Sequence, residues 1–179
     1  IKNIMFLPIS KKYYDKNQID FVLIASDAYV DHPTYGHAVI SRLIESEGFS
    51  VGIIPQPICD EDYYALPVPT IAYLVSSGVV DSMVNNYTVA KRKRELDVYS
   101  PKSKNGKRPD RQVTVYSKTL KRLFPNVPVV IGGIEASLRR FTHYDYWKDD
   151  IMQSILIDSE ADLLVYGMGE NPFWDILAL

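Results

Sequence analysis

Val127-Pro-Val-Val-Ile-Gly-Gly-Ile-Glu-Ala-Ser137 is an apolar, β-branched run that ends in paired glycines and a carboxylate. A run with no polar alternation fits a strand buried on both faces, the condition of strands in a parallel sheet. Glycines at its end let the backbone turn sharply or approach a ligand closely. The pattern recurs near the other end of the chain, where Ala161-Asp-Leu-Leu-Val-Tyr166 runs into Gly167-Met-Gly-Glu170. Two strand ends of this kind point to a shared crevice.

Working outward, Phe21 to Ser26 is a second continuous apolar run. After Pro33-Thr-Tyr-Gly36 the spacing of Ala38, Ile40, Leu43 and Ile44 becomes helical and stops at Gly48. Val51 to Ile54 and Tyr73 to Val80 read as further strands, with a short helical or irregular stretch around Asp60 to Leu66. Val113 to Phe124 reads as a helix, Val127 to Ile131 as the fourth strand and Asp162 to Tyr166 as the fifth. The first 20 residues are expected to form an irregular or helical lead-in. Alternating strands and helices imply an α/β fold, with a mainly parallel five-stranded sheet and helices on both faces. The loops after Ser26, Ile54, Ser77, Ile131 and Tyr166 then share one edge, where such sheets bind ligands.

Bulk properties narrow the class. A chain of 179 residues with 46% hydrophobic and 12% aromatic side chains can bury a core and is not disordered. No apolar run approaches the roughly 20 residues of a membrane span, and the first residues lack a secretion signal's apolar core, so a cytoplasmic protein with no membrane partner is expected. Cys59 is the single cysteine, which excludes an internal disulfide and a thiolate metal cluster built from this chain alone. The net charge is −2, but residues 90–111 hold nine Lys and Arg against three Asp and Glu, a local +6. That segment is poor in apolar residues and carries two prolines and a glycine, so it reads as a basic surface insertion. Both ends of the chain look cut, and a piece of something larger is expected.

The loop residues are weighed individually. Asp27-Ala-Tyr-Val-Asp-His32 places Asp27, Tyr29, Asp31 and His32 at the ligand-facing end of the first strand. His32 could serve as a base or metal ligand. The favoured alternative is that Asp31 or Thr34 caps the following helix while His32 packs, so the loop binds as a whole. Gly132, Gly133, Glu135 and Ser137 form either a ligand contact or a tight strand-to-helix turn, and the residues leave both open. Gly167, Gly169 and Glu170 carry only half of a dinucleotide pattern, because Pro172 stands where the third glycine would be. Arg139, Arg140, Phe141, Tyr144, Tyr146 and Trp147 mix basic and aromatic side chains. With Lys91, Arg92, Lys93 and Arg94 they admit a nucleic-acid partner, although an interdomain surface is favoured.

Asp27-Ala-Tyr-Val-Asp-His-Pro33, Gly52-Ile-Ile-Pro-Gln-Pro57, Asp81-Ser-Met-Val-Asn-Asn-Tyr-Thr88, Gly106-Lys-Arg-Pro-Asp-Arg111, Gly132-Gly-Ile-Glu-Ala-Ser-Leu-Arg-Arg140 and His143-Tyr-Asp-Tyr-Trp147, in this order, resemble the N-terminal region of YgiQ-type radical S-adenosylmethionine proteins. The resemblance covers nearly the whole chain. It implies a Rossmann-like three-layer sandwich, similar to cobalamin-binding domains, preceding a C-terminal radical S-adenosylmethionine barrel in the same polypeptide. It also implies a 4Fe-4S cluster on Cys-x-x-x-Cys-x-x-Cys and S-adenosylmethionine as cofactor of the full-length protein. This chain lacks the triplet, so no cofactor and no catalytic or metal-ligating residue are expected within it. The Asp-x-His-x-x-Gly cobalt-ligand pattern is absent too, since Asp31 and His32 are adjacent. Cobalamin held without a protein histidine would be cradled by loops 27–36, 76–78, 132–137 and 167–170. The implied role is an accessory domain contributing substrate or cofactor contacts; an RNA-binding module and a purely structural cover of the barrel are the alternatives.

Overall fold

The computed structural model describes residues 18–177. The expected lead-in therefore lies outside the described residues up to position 17, and its last two positions already belong to a strand. Seven strands, β1 (Ile19–Ala25), β2 (Val51–Pro55), β3 (Pro69–Ser76), β4 (Val129–Gly132), β5 (His143–Asp145), β6 (Asp150–Met152) and β7 (Leu163–Leu164), are described, with five α-helices between them and a sixth after β7. The helices are α1 (Gly36–Ser46), α2 (Ser82–Asn86), α3 (Gln112–Leu123), α4 (Gly133–Leu138), α5 (Ile155–Asp158) and α6 (Glu170–Leu177). Five strands form one sheet in the order β2-β1-β3-β4-β7, every pairing parallel. The short β5–β6 antiparallel pair stands apart and was not foreseen.

Successive β1 side chains explain why its sequence reads as one apolar run. Val22 and Ile24 point into a core with Tyr73, Val75, Ile131 and the α3 residues Val113, Tyr116 and Leu120. Phe21, Leu23 and Ala25 point into a second core with Ile44 of α1 and Phe173 of α6. Both faces are dry, so neither register position can be polar. Connections that carry the chain toward β7 lie on the α3 face, whereas α1, which carries it back to β2, lies on the other, as right-handed crossovers require. Among the described residues only α1 and α6 cover the five strands on the α1 face, and the strip over β3 between them has no helix of its own.

Boundaries differ from the sequence reading in physically simple ways. β3 begins at Pro69 and stops at Ser76, because Gly78 takes φ +75 and turns the chain beneath Asp27. β7 is only two residues long, although the Val165 amide still donates to the Ile131 carbonyl. The stretch at Asp60–Tyr64 is a 3-10 helix.

Candidate ligand crevice at the carboxyl edge

A cavity of about 340 Å3 lies on the α1 face, beside the reversal of strand order between β1 and β3. Its floor is Leu23, Leu74, Val130 and Val165, and its walls are Val39 and Ile40 of α1 and Phe173 and Ile176 of α6. Gly132, Gly133, Gly167, Gly169 and Glu170 also line it, with Pro33, Thr34 and His37 at the start of α1, so the two glycine loops meet at one site. Open parallel sheets leave their ligand crevice at such a reversal. The volume falls in the range of small-molecule sites, about 300–1,000 Å3.

Two of these glycines have demanding roles. Gly133 takes φ +82, and a Cβ there would stand 2.7 Å from the Ser77 hydroxyl. Gly167 takes φ +72 in open space, and its amide donates to Ser137 Oγ at 2.9 Å. The same hydroxyl donates to the Gly133 carbonyl at 2.8 Å. One serine of α4 therefore joins that helix, which follows β4 directly, to the loop after β7.

The other marked residues are placed differently. Asp27 is fully buried and accepts from Arg108 at 2.7 Å and from the Val79 amide at 2.7 Å, so it holds the framework rather than facing a ligand. Glu135 is also fully buried. Its Oε2 accepts from the Ser82 hydroxyl at 3.0 Å and amide at 3.3 Å, while Oε1 has no hydrogen bond. Burial, then the neighbouring Asp81 carboxylate, pushes its pKa up. The expectation that Asp31 or Thr34 caps α1 is not met: the N-cap is Tyr35, without a side-chain cap, because Asp31 is drawn to Arg42 and Thr34 to His32. His32 is exposed, with Nδ1 2.9 Å from the Thr34 hydroxyl. The Tyr29 hydroxyl is pushed up to about 12 by burial and by the Asp31 carboxylate, and its ring lies 5.8 Å from that of His37.

Sequence reasoning missed two residues. His37, 1% exposed, lies among the rings of Tyr29 and Tyr35, with neither ring nitrogen hydrogen-bonded. Burial depresses its pKa against the pull of Asp27. Arg108, 3% exposed, comes from the basic segment, which therefore is not confined to the surface. Its guanidinium donates to Asp27, to Asp97 Oδ2 at 3.2 Å and to Gln112 Oε1 at 3.3 Å. Asp97 is buried, yet the Ser100 hydroxyl and Arg108 hold its carboxyl below the usual range against that burial. Gln56 closes the network, donating to Ser100 Oγ and to the Ser26 carbonyl.

The remaining cations divide. Arg94 donates to the Val84 and Tyr87 carbonyls, and Lys91 lies 4.7 Å from the centre of the Tyr146 ring, while Arg92 and Lys93 are exposed. Among the described residues no group of three His, Cys, Asp or Glu side chains is arranged to hold a metal ion, and no helix is long and apolar enough to cross a membrane.

The chain is 55% identical over 177 residues to a UPF0313 protein of Clostridium botulinum (strain ATCC 19397 / Type A), covering 96% of this chain and 27% of that one. It is 51% identical to a UPF0313 protein of Thermotoga neapolitana, covering 96% of this chain and 31% of that one. It thus spans less than a third of these relatives' length. Among solved structures, the Salmonella typhimurium RcsB response regulator aligns over 89% of this chain and 58% of its own at TM-score 0.44 and 14% identity, too distant to inform the reading. The family model described as Radical SAM N-terminal matches residues 6–179, from the first strand through both glycine loops, and the chain belongs to that family.

Proposed function

We propose that this domain supplies a small-molecule crevice, for substrate or cofactor, to a radical S-adenosylmethionine enzyme whose 4Fe-4S cluster and S-adenosylmethionine site are built by the rest of the polypeptide. One observation carries the reading: the cavity opens at the strand-order reversal, and both glycine loops line it. Its apolar floor and walls select a ligand with an apolar body, and the glycine backbone at its rim admits close approach. Cys59, exposed and alone, cannot hold the cluster. A histidine-ligated cobalamin has less support, because the Asp-x-His-x-x-Gly pattern is absent, the ring nitrogens of His37 are buried in the cavity wall and His32 is engaged with Thr34. The nucleic-acid alternative through Lys91, Arg92, Lys93 and Arg94 has less support, since Lys91 and Arg94 are turned onto the protein.

The test uses the full-length protein, reconstituted anaerobically with iron and sulfide. Ile40→Trp fills the cavity from the α1 side; an unchanged circular dichroism spectrum and unfolding midpoint report that the variant is folded, and retained iron content that the cluster is intact. Deproteinised cell extract, which supplies the substrate pool, should stimulate cleavage of S-adenosylmethionine to 5'-deoxyadenosine by the parent protein and not by the variant. Equal stimulation of both would make the cavity a packing gap and leave the domain as a structural cover.

A further inference from the structure

Beside the cavity mouth the protein leaves a cluster of large apolar side chains in water. Leu138 is 63% exposed, Phe141 68%, Tyr166 63% and Met168 78%, with Ile134 one helical turn before Leu138 on the same side of α4. Two contacts draw α4 and its exit towards the loop after β7. The Arg140 guanidinium lies 4.8 Å from the centre of the Phe141 ring and 5.4 Å from that of Tyr166, and the Ser137–Gly167 hydrogen bond sets α4 against the loop that carries Met168. Met168 also lines the cavity.

An exposed apolar patch of this kind costs free energy in water and marks an interaction site. Its composition, two aromatics, a methionine and an arginine, is that of an interface centre rather than of ordinary surface. Arg140 donates only to the Ser137 carbonyl and has no carboxylate partner among the described residues, so its charge is available to an incoming acidic group. The relatives supply an occupant, because this chain accounts for only 27% and 31% of their length.

We propose that the face formed by Ile134, Leu138, Arg140, Phe141, Tyr166 and Met168 is where the remainder of this polypeptide docks, closing over the cavity mouth. The partner surface presents apolar side chains and a carboxylate for Arg140. The inference is independent of the ligand reading, since docking can occur over an empty cavity, and any ligand would then be held between the two parts.

Hydroxyl-radical footprinting of the full-length protein, at a concentration where light scattering reports a monomer, tests it. Each residue's labelling is normalised to its rate in the denatured chain. Phe141, Tyr166 and Met168 should show a several-fold loss of labelling, whereas Tyr64, 49% exposed and packed on Phe124 at the other edge of the sheet, stays reactive. Labelling of all three at the level of Tyr64 in the monomer overturns the proposal. Protection that arises only at concentrations where a dimer forms also overturns it and assigns the face to a second copy. As a second readout, Phe141→Asp with Met168→Asp should restore labelling of Tyr166 in the monomer.

Discussion

Arg108 illustrates what a buried charge does when its partners come from distant parts of the chain. Its side chain has no exposed surface and lies between Asp27, at the end of β1, and Asp97, within the basic segment. Removing one member of such a group leaves an uncompensated buried charge, which costs about 3–5 kcal/mol. Arg108→Met should therefore lower the denaturation free energy by roughly that amount, and a loss below about 1 kcal/mol would show the group to be hydrated. Glu135 gives a signed pH dependence. Its folded-state pKa is raised by burial first and Asp81 second, so the native state keeps the proton after the unfolded chain has lost it. That contribution is complete below the ordinary carboxylate range and disappears as pH rises through the raised value. Glu135→Gln keeps an oxygen for Ser82 and cannot titrate, so its stability relative to the parent should grow as pH rises from the ordinary carboxylate range towards the raised value. Denaturation curves that stay parallel across pH would refute the assignment. Neither role was legible in the sequence: Arg108 sits among eight other cations, and Glu135 follows glycines that point equally to a ligand.

Apolar runs bounded by turn residues located the strands at the scale of elements because burial on both faces removes every polar position from Phe21 to Ala25 of β1, from β2 and from β4. Short elements were not legible. The α2 helix is five residues long and exists because Asp81 accepts from the Met83 and Val84 amides, and the β5–β6 pair spans three residues on each side. Neither is long enough to show a period. The paired glycines make a sharper prediction. Gly132 has φ −157, and a Cβ there meets only Val165 atoms at 3.6 Å and beyond, whereas Gly133 combines φ +82 with a 2.7 Å approach to Ser77. Gly133→Ala should destabilise by about 1–3 kcal/mol, the cost of a strained backbone position, and Gly132→Ala by clearly less. Equal losses in chemical denaturation would mean that the turn relaxes and that Gly133 is kept for the cavity instead.

For the whole molecule, charge and layering were read with different success. Helices on both faces followed from the strand pattern, but the uneven cover of the α1 face, which creates the cavity, depends on strand order, and strand order is not written in any one segment. The basic segment appeared as a surface insertion because composition cannot show which of nine cations turns inward. Its anchors predict an outcome of limited trypsin treatment. Arg92 and Lys93 are exposed and should be cut first, while Asp97, Ser100 and Arg108 hold the far side of the nick to the sheet edge. The nicked protein should elute intact from a sizing column and separate only on denaturation; loss of the native peak on cutting would show the segment to be structural along its full length. Ser137 carries a last consequence. A single hydroxyl ties the α4 helix to the loop after β7, so it works as a latch between the two sides of the rim. Opening of the rim on the β7 side must then break the Gly167–Ser137 bond, and its frequency can be read from deuterium uptake at the Gly167 amide.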